Sequence, residues 1–372
     1  MKWTIDKNIF LEALGNVTRA LSQRTTNPIL NGIVFDISDK GIELLASDSE
    51  LTIKVNIEEK DIKKIEGNGR IIIQSKYFMD MIRKMPADTI DFEIEDNLKI
   101  KISTPTNQYR LNCYNPKEYP NITISKSNNN INIKSNVLKD IINQTSYALS
   151  NQEVRPILTG LNFKLNGDIL ECIATDSYRL AKKNIRLATP VDQLINIVIP
   201  GRSINELEHI IGDEEDVEIN LFSNKILFIY KNIWVQSSLL SGTYPETSHF
   251  IPQEFSYMIN LNLKEFYDAV DRAALLAQNK EKNIIKMHIE GNEMVITSIS
   301  NELGAAEEKL KIDSNNKEKI DVSFSSKYMM DALKVINEEN IFLLLNADDK
   351  PILLKPITDE SLIELILPIK TY

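Results

Sequence analysis

Apolar residues recur along the start of the chain with two spacings. Ile9, Phe10, Ala13, Leu14, Val17, Ala20 and Leu21 follow the three- and four-residue steps that turn one helical face inward. Asn8 stands where it can cap that helix, and residues 3–5 ahead of it read as a short strand. A polar loop at 22–27 leads to Pro28, after which the pattern becomes that of strands: 29–37, 42–47 and 51–57, separated by Gly41 and by Asp48-Ser49. A strand at 71–74 then leads to a shorter helix. Ser75 is its expected cap, Phe78, Met81, Ile82 and Met85 its inward face, and Pro86-Ala-Asp its stop. Residues 90–94, 98–103 and 108–114 alternate apolar and polar, as half-buried strands do. Strand, helix and three strands have then been run through twice.

The same text returns later. ALSQRTTNPILNGIVF at 20–35 recurs without a gap as ALSNQEVRPILTGLNF at 148–163, a shift of 128 positions. At that offset ASDS (46–49) falls on ATDS (174–177), and Phe10 falls on Leu138 and then on Phe266. SKYFMD (75–80) comes back as SKYMMD (326–331). Such periodicity marks a repeat protein. The expected domains are 1–125, 126–252 and 253–372, with SKSNNN (125–130) and Pro252-Gln-Glu at the boundaries. Helices are expected at 136–149 and 203–211 in the second copy, and at 263–277 and 326–336 in the third. Strands are expected at 160–164, 169–175, 217–221, 226–230 and 233–239, with an apolar strand at 362–369.

An amphipathic helix with about four strands packs as helix on antiparallel sheet, so the predicted class is α+β, with two helices on sheets in each repeat. Six such half-units in a row leave an unpaired strand edge at each end. Two chains meeting head to tail would close the row into a ring with all helices on one side; an open solenoid fits the repetition equally well.

Composition narrows the function. The chain has 372 residues, 42% hydrophobic and 26% charged, and no run reaches the ~18 apolar residues of a membrane span. Asp6 interrupts the place where an export signal would be apolar, and the two cysteines sit in separate repeats, so the expected compartment is the cytoplasm. A net charge of −10 argues against a protein that grips nucleic acid by a basic surface. The helical segments, however, carry a small positive excess while the remainder is more acidic than the whole.

No catalytic pattern stands out. His209, His249 and His288 have no His or Cys at metal-ligand spacing, and neither a phosphate loop, GxSxG nor HExxH occurs. The acidic run at 213–216 reads as a solvated loop, and Cys113 and Cys172 as inert thiols in apolar strands. No metal or cofactor is expected. The pattern favours a binding protein over an unrecognised hydrolase; a scaffold that binds short linear peptides and never meets DNA is the competing reading.

Four separated stretches carry a resemblance: EVRPILTG (153–160), ATDSYRLA (174–181), SGTYPETSHFIP (241–252) and LILPIK (365–370). In that order, on those repeats, they resemble the bacterial DNA sliding clamp, the beta subunit of DNA polymerase III. The resemblance implies a non-catalytic, head-to-tail homodimeric ring of six domains, helices inside, encircling duplex DNA and tethering the replicative polymerase. It also implies that the clamp loader and other replication and repair proteins dock through short linear motifs. A groove between the second and third repeats would be lined by Leu158, Thr175, Ser177, Tyr178, Arg179, Leu180, Pro245, His249, Phe250, Leu365, Leu367, Pro368 and Ile369. Arg24 and Gln152, on the two copies of the post-helix loop, would meet DNA, with Lys76, Arg83, Lys84 and Arg202 lining the hole. Tyr109 and Leu111 of one chain would face Leu275 and Leu276 of the other. A threaded ring also accounts for the charge, because a tight phosphate grip would stop sliding and a weakly positive lining suffices.

Overall fold

Asp6, and not Asn8, caps the first helix. In the computed structural model, Asp6 ends the strand Lys2–Asp6 in extended backbone (φ −64°, ψ 134°), and its Oδ1 accepts from the Asn8 and Ile9 amides at 2.8 and 3.4 Å. The carboxylate also places negative charge at the positive end of the helix. The structure describes residues 1–22, 27–95, 98–152, 154–213, 215–277, 283–300 and 302–370.

Six α-helices occur among the described residues: α1 (Lys7–Val17), α2 (Phe78–Lys84), α3 (Ser135–Thr145), α4 (Gly201–Ile210), α5 (Leu263–Ala274) and α6 (Ser326–Lys334). α1 and α3 each run on into a 3₁₀ turn, Thr18–Ala20 and Ser146–Ala148, which accounts for the length of the apolar pattern. The duplicated SKY sequences start their helices differently. α6 begins at its serine, with Ser325 as cap, whereas Tyr77 takes a left-handed backbone (φ 66°) that postpones α2 to Phe78, so Ser75 is not its cap.

The expected strand at 29–37 begins only at Gly32. Pro28–Asn31 is a 3₁₀ turn, begun by proline at a position where its missing N–H is not needed, with Asn27 accepting from the Ile29 amide at 3.3 Å. Pro156–Thr159 repeats this turn ahead of Gly160. Both glycines are required by close packing. A Cβ at Gly32 would lie 2.4 Å from Ile72 Cγ2, and one at Gly160 2.7 Å from the Ile199 carbonyl. The turns ASDS and ATDS are also copies in three dimensions. Asp48 and Asp176 each accept from two following amides, and Ser49 (φ 84°) and Ser177 (φ 77°) share the left-handed conformation.

The chain forms two compact units, residues 1–137 with 205–239 and residues 138–204 with 240–372, so the middle repeat contributes to both. The reason is visible in the ladders, all antiparallel among the described residues. In the first unit a thirteen-stranded sheet runs from the first repeat into the middle one, where Leu51–Glu58 pairs with Ile233–Ser238 and Thr52 faces Gln236. In the second unit a seven-stranded sheet joins the long hairpin Gly160–Thr175 and Arg179–Pro200 to the terminal strand Leu362–Ile366, with Leu180 facing Leu365. Residues 160–164 and 169–175 are thus one strand, irregular at Gly167, and the terminal strand stops at Ile366. A four-stranded sheet completes the second unit, with Gly304–Lys311 at its edge.

Each unit buries its helices through large side chains. In the first, Phe10 of α1 meets Phe35, Phe78 and Phe92, Phe78 of α2 also meets Phe35, and Trp3 is stacked on Phe92 at 4.9 Å. In the second, Phe266 of α5 and Met329 and Leu333 of α6 close on Ile285, Phe324 and Leu343. Buried aromatics of this size remove ~150–250 Å² each from water and dominate such cores.

Candidate functional site

Residues expected to line a groove come together where the hairpin meets the terminal strand. Leu158 from the 3₁₀ turn, Leu180 and Leu365 fall in a single apolar cluster. Ile173, Val198, Tyr244, Ile251, Leu344 and Leu353 complete it. The turn 175–179 is tightly specified: the Thr175 hydroxyl donates to the Arg179 carbonyl at 2.6 Å and accepts from the Ser177 amide at 3.1 Å. The left-handed Ser177 turns Tyr178 outward, leaving it 60% exposed, and the Tyr178 carbonyl accepts from the Leu367 amide at 2.9 Å. Half-buried Pro368 and Ile369 follow, with the Ile369 amide bonded to the Ser323 carbonyl at 2.7 Å. On the opposite segment Tyr244 and Ile251 are buried in the cluster, while Pro245, His249 and Phe250 between them are exposed. The Tyr244 hydroxyl donates to the Ile173 carbonyl at 3.3 Å, fixing that segment.

Arg179 is placed differently from its neighbours. It is 7% exposed, and by strand alternation it lies on the face opposite Leu180. Its guanidinium pairs with Asp176 (3.1 Å) and Asp331 (2.7 Å) and lies against the rings of Tyr147 and Tyr328. Sequence reasoning missed Leu344 and Leu353, which sit on strands of the third repeat where no copied motif marks them. It could have found Tyr244, because the pair Tyr-Pro occurs near the end of both the first and second repeats, at 119 and 244.

The first repeat holds a counterpart of this cluster, built of Ile29, Leu30, Val34, Leu45, Ile72 and Tyr119. There the segment after Tyr-Pro has no regular secondary structure, and Ile122 and Ile124 pack onto the cluster. After Tyr244 the chain instead turns through Ser248–Phe250.

Of the residues assigned to DNA, Arg24 lies outside the described residues. Lys76, Arg83 and Lys84 are exposed in and just ahead of α2; Lys76 Nζ lies 5.0 Å from the Tyr77 ring, and Arg83 pairs with Asp80 at 2.9 Å. Gln152 and Arg202, in the second unit, are also exposed, and the Gln152 amide donates to Ser150 Oγ at 3.1 Å. Of the residues assigned to a dimer contact, Tyr109 is exposed and Leu111 half-buried on Gln108–Tyr114. Residues 108–112 of that strand pair only with Lys99–Ser103, which leaves their other edge open among the described residues. Leu275 is exposed and Leu276 half-buried just after α5. α5 is fastened to the edge strand Gly304–Lys311 by a two-pronged pair between Arg272 and Glu308.

Burial pushes the Cys113 thiol up to about 12 and that of Cys172 well up, and both are free cysteines. Neither supplies a nucleophilic thiolate near neutral pH. Among the described residues no three or more His, Cys, Asp and Glu side chains gather as a metal site, and no helix is long and apolar enough to cross a membrane.

Family models cover the chain from end to end: the N-terminal domain of the DNA polymerase III beta subunit at residues 1–123, its central domain at 132–246 and its C-terminal domain at 248–370. The chain belongs to the DNA polymerase III beta subunit family. It is 38% identical over 378 residues to the beta sliding clamp of Bacillus subtilis (strain 168) and 36% identical over 379 to that of Staphylococcus aureus (strain N315), each match covering both proteins completely. A crystal structure of the DNA polymerase sliding clamp from Bacillus subtilis superposes with a TM-score of 0.96 over all of both chains. That of the DNA polymerase III beta chain from Streptococcus pneumoniae, 32% identical, does so with 0.95, again over both chains in full. The function of the chain is accordingly that of a DNA sliding clamp, a processivity factor and not a catalyst.

Proposed function

We propose that two copies of this chain join head to tail into a ring that encircles duplex DNA without sequence preference and moves with the replicative polymerase in the cytoplasm. In this reading the domains are 1–125, 126–252 and 253–372. The polymerase, the clamp loader and other replication and repair proteins take turns at the groove around Leu158, Leu180 and Leu365, each inserting a short linear segment with a hydrophobic pair.

The observation that carries the groove is the apolar cluster itself, walled by the exposed side chains of Tyr178, Phe250 and Leu367. A buried apolar floor with an exposed aromatic rim suits anchor residues of a peptide, since a few well-packed side chains supply most of the affinity. The open edge at Tyr109 and the exposed Leu275 suit the ends that meet in the dimer. Lys76, Arg83, Lys84, Gln152, Arg202 and Arg24 are assigned to the DNA side, where weak and shifting phosphate contacts permit sliding.

Retention on nicked circular DNA tests the ring. The chain, loaded on the circle, should stay bound through a gel-filtration column and be lost when the circle is cut. Equal retention on linear and circular DNA would mean that the protein grips instead of encircling.

A further inference from the structure

Leu180 and Leu365 form the floor of the groove, and the residues beside them face the other way. On that reverse side Glu364 is 0% exposed, set between Leu362 and Ile366 of the apolar core. Its cross-strand partners are Ala181 on one side and Leu354 on the other. Tyr147 occupies the neighbouring space and donates its hydroxyl to Glu364 Oε2, while Oε1 is buried with no hydrogen-bond partner among the described residues.

Contacts lead from this carboxyl group to the turn 176–179 and to Leu367, on one side of the groove. The Tyr147 ring lies 5.2 Å from the Arg179 guanidinium, and the Tyr328 ring lies 4.5 Å from it. Arg179 pairs with Asp176, which caps the turn that presents Tyr178. The Tyr178 carbonyl holds the Leu367 amide, three residues beyond Glu364 on the same segment. A half-satisfied carboxyl group in an apolar core is destabilising, and a well-packed apolar residue of similar volume would lift the penalty. Groups of this kind that persist against their own stability cost are commonly tied to function.

We propose that Glu364 and Tyr147 are positioning residues for the partner groove, holding Arg179, the turn at 176–178 and Leu367 in the spacing that a partner peptide needs. This rests on the groove reading above. Once the strap of contacts is cut, the floor of Leu180 and Leu365 remains but the turn and Leu367 no longer hold their positions beside it.

The experiment is calorimetric titration of the full-length chain with a synthetic peptide containing a glutamine and a hydrophobic pair, alongside thermal melting. Leu180→Ala serves as the control for the groove. Glu364→Leu and Tyr147→Phe should each weaken binding by about tenfold, and the double variant should be no weaker than either single one, because both cut the same path. Glu364→Leu should melt no lower than the wild type, so that affinity falls while stability does not. Glu364→Gln, whose amide oxygen can still accept from Tyr147, should bind within about threefold of wild type. If Leu180→Ala weakens binding but Tyr147→Phe and Glu364→Leu bind as the wild type does, the positioning role is overturned and the groove stands. The role also falls if affinity drops only in step with a lowered melting temperature. If Leu180→Ala itself binds normally, the groove is misplaced and this inference goes with it. Should Glu364→Leu fail to fold, Tyr147→Phe carries the test alone.

Discussion

Gln236 faces Thr52 across the strand pair of the first unit, in the place that Leu365 holds opposite Leu180 in the second. The duplication therefore made two such places and left only one of them apolar. Thr52 is further committed by its bond to the Ser47 hydroxyl at 2.8 Å, and Ile122 and Ile124 pack onto the adjoining cluster. A peptide with a hydrophobic pair would have to displace those side chains and lie on a polar floor, leaving buried amide and hydroxyl groups without partners. Calorimetric titration should thus give one peptide per chain, and Leu180→Ala with Leu365→Ala should abolish saturable binding. A second, weaker site surviving in that double variant would contradict the assignment.

The exposed cations near α2 make separable predictions for DNA. Lys84 should act as a mobile charge, so Lys84→Ala should lower the slope of log affinity against log salt by about 0.9 per lost phosphate contact, with little change in melting temperature. Arg83 is partly spent on Asp80 at 2.9 Å. Asp80→Asn should release it and tighten binding to a short linear duplex, measured by fluorescence anisotropy at low salt. Weaker binding in Asp80→Asn would place α2 away from the DNA.

The division between what pattern reveals and what it hides follows the physics of each element. Helices α1, α3 and α5 are legible because Phe10, Leu138 and Phe266 anchor apolar faces 128 residues apart. Cap positions are less legible, since Asp6 and Asn8 are both good caps and only the extended backbone at Asp6 decides between them. Pro28–Asn31 reads as strand because a buried turn and a buried strand have the same short apolar run. The site divides likewise. Leu158 stands out through a copied motif and Leu180 through the stretch ATDSYRLA, whereas Leu344 and Leu353 join the cluster only through strand register, which no local pattern encodes. Arg179 lies in the quoted motif, but its placement behind the floor depends on Tyr147, Tyr328 and Asp331, remote in sequence.

The proposed contact between two chains can be tested at one residue. Leu275 is 64% exposed in the single chain, so a charge there should cost the fold little, yet it would be buried against the partner's apolar edge. Leu275→Asp should sediment as a species of 42.5 kDa under conditions where the wild type sediments as twice that mass, with an unchanged far-ultraviolet spectrum. An intact dimer in this variant would place the interface elsewhere.

Glu364 should leave a signature in the dependence of stability on pH. Burial, opposed by the hydrogen bond from Tyr147 and by the charges of Arg179 and Lys183, raises its carboxyl group well above the usual range. Below an unfolded value of about 4.3 it is protonated in both states and contributes nothing to the pH dependence. As pH rises past that point the unfolded chain gives up the proton while the folded chain keeps it, so the folded state binds more protons and stability falls, by at most about 1.4 kcal/mol per pH unit. Asp359 and Asp321 have the opposite sign: each titrates below its ordinary value, although burial alone would raise it. Lys183 and the hydrogen bonds from Ser361 together outweigh burial at Asp359, and His288 and Lys286 together do so at Asp321. Their contribution is present above the ordinary aspartate value and is lost as the medium becomes more acidic. Urea denaturation of wild type and Glu364→Gln at a series of pH values separates the two effects, because the aspartates are common to both proteins. The variant should gain on the wild type steadily as pH rises from about 4.3 toward neutrality, since glutamine has no proton to lose. A difference that stays level across that range would mean that Glu364 is ionised in the folded chain, with its buried charge stabilised by Arg179 and Lys183.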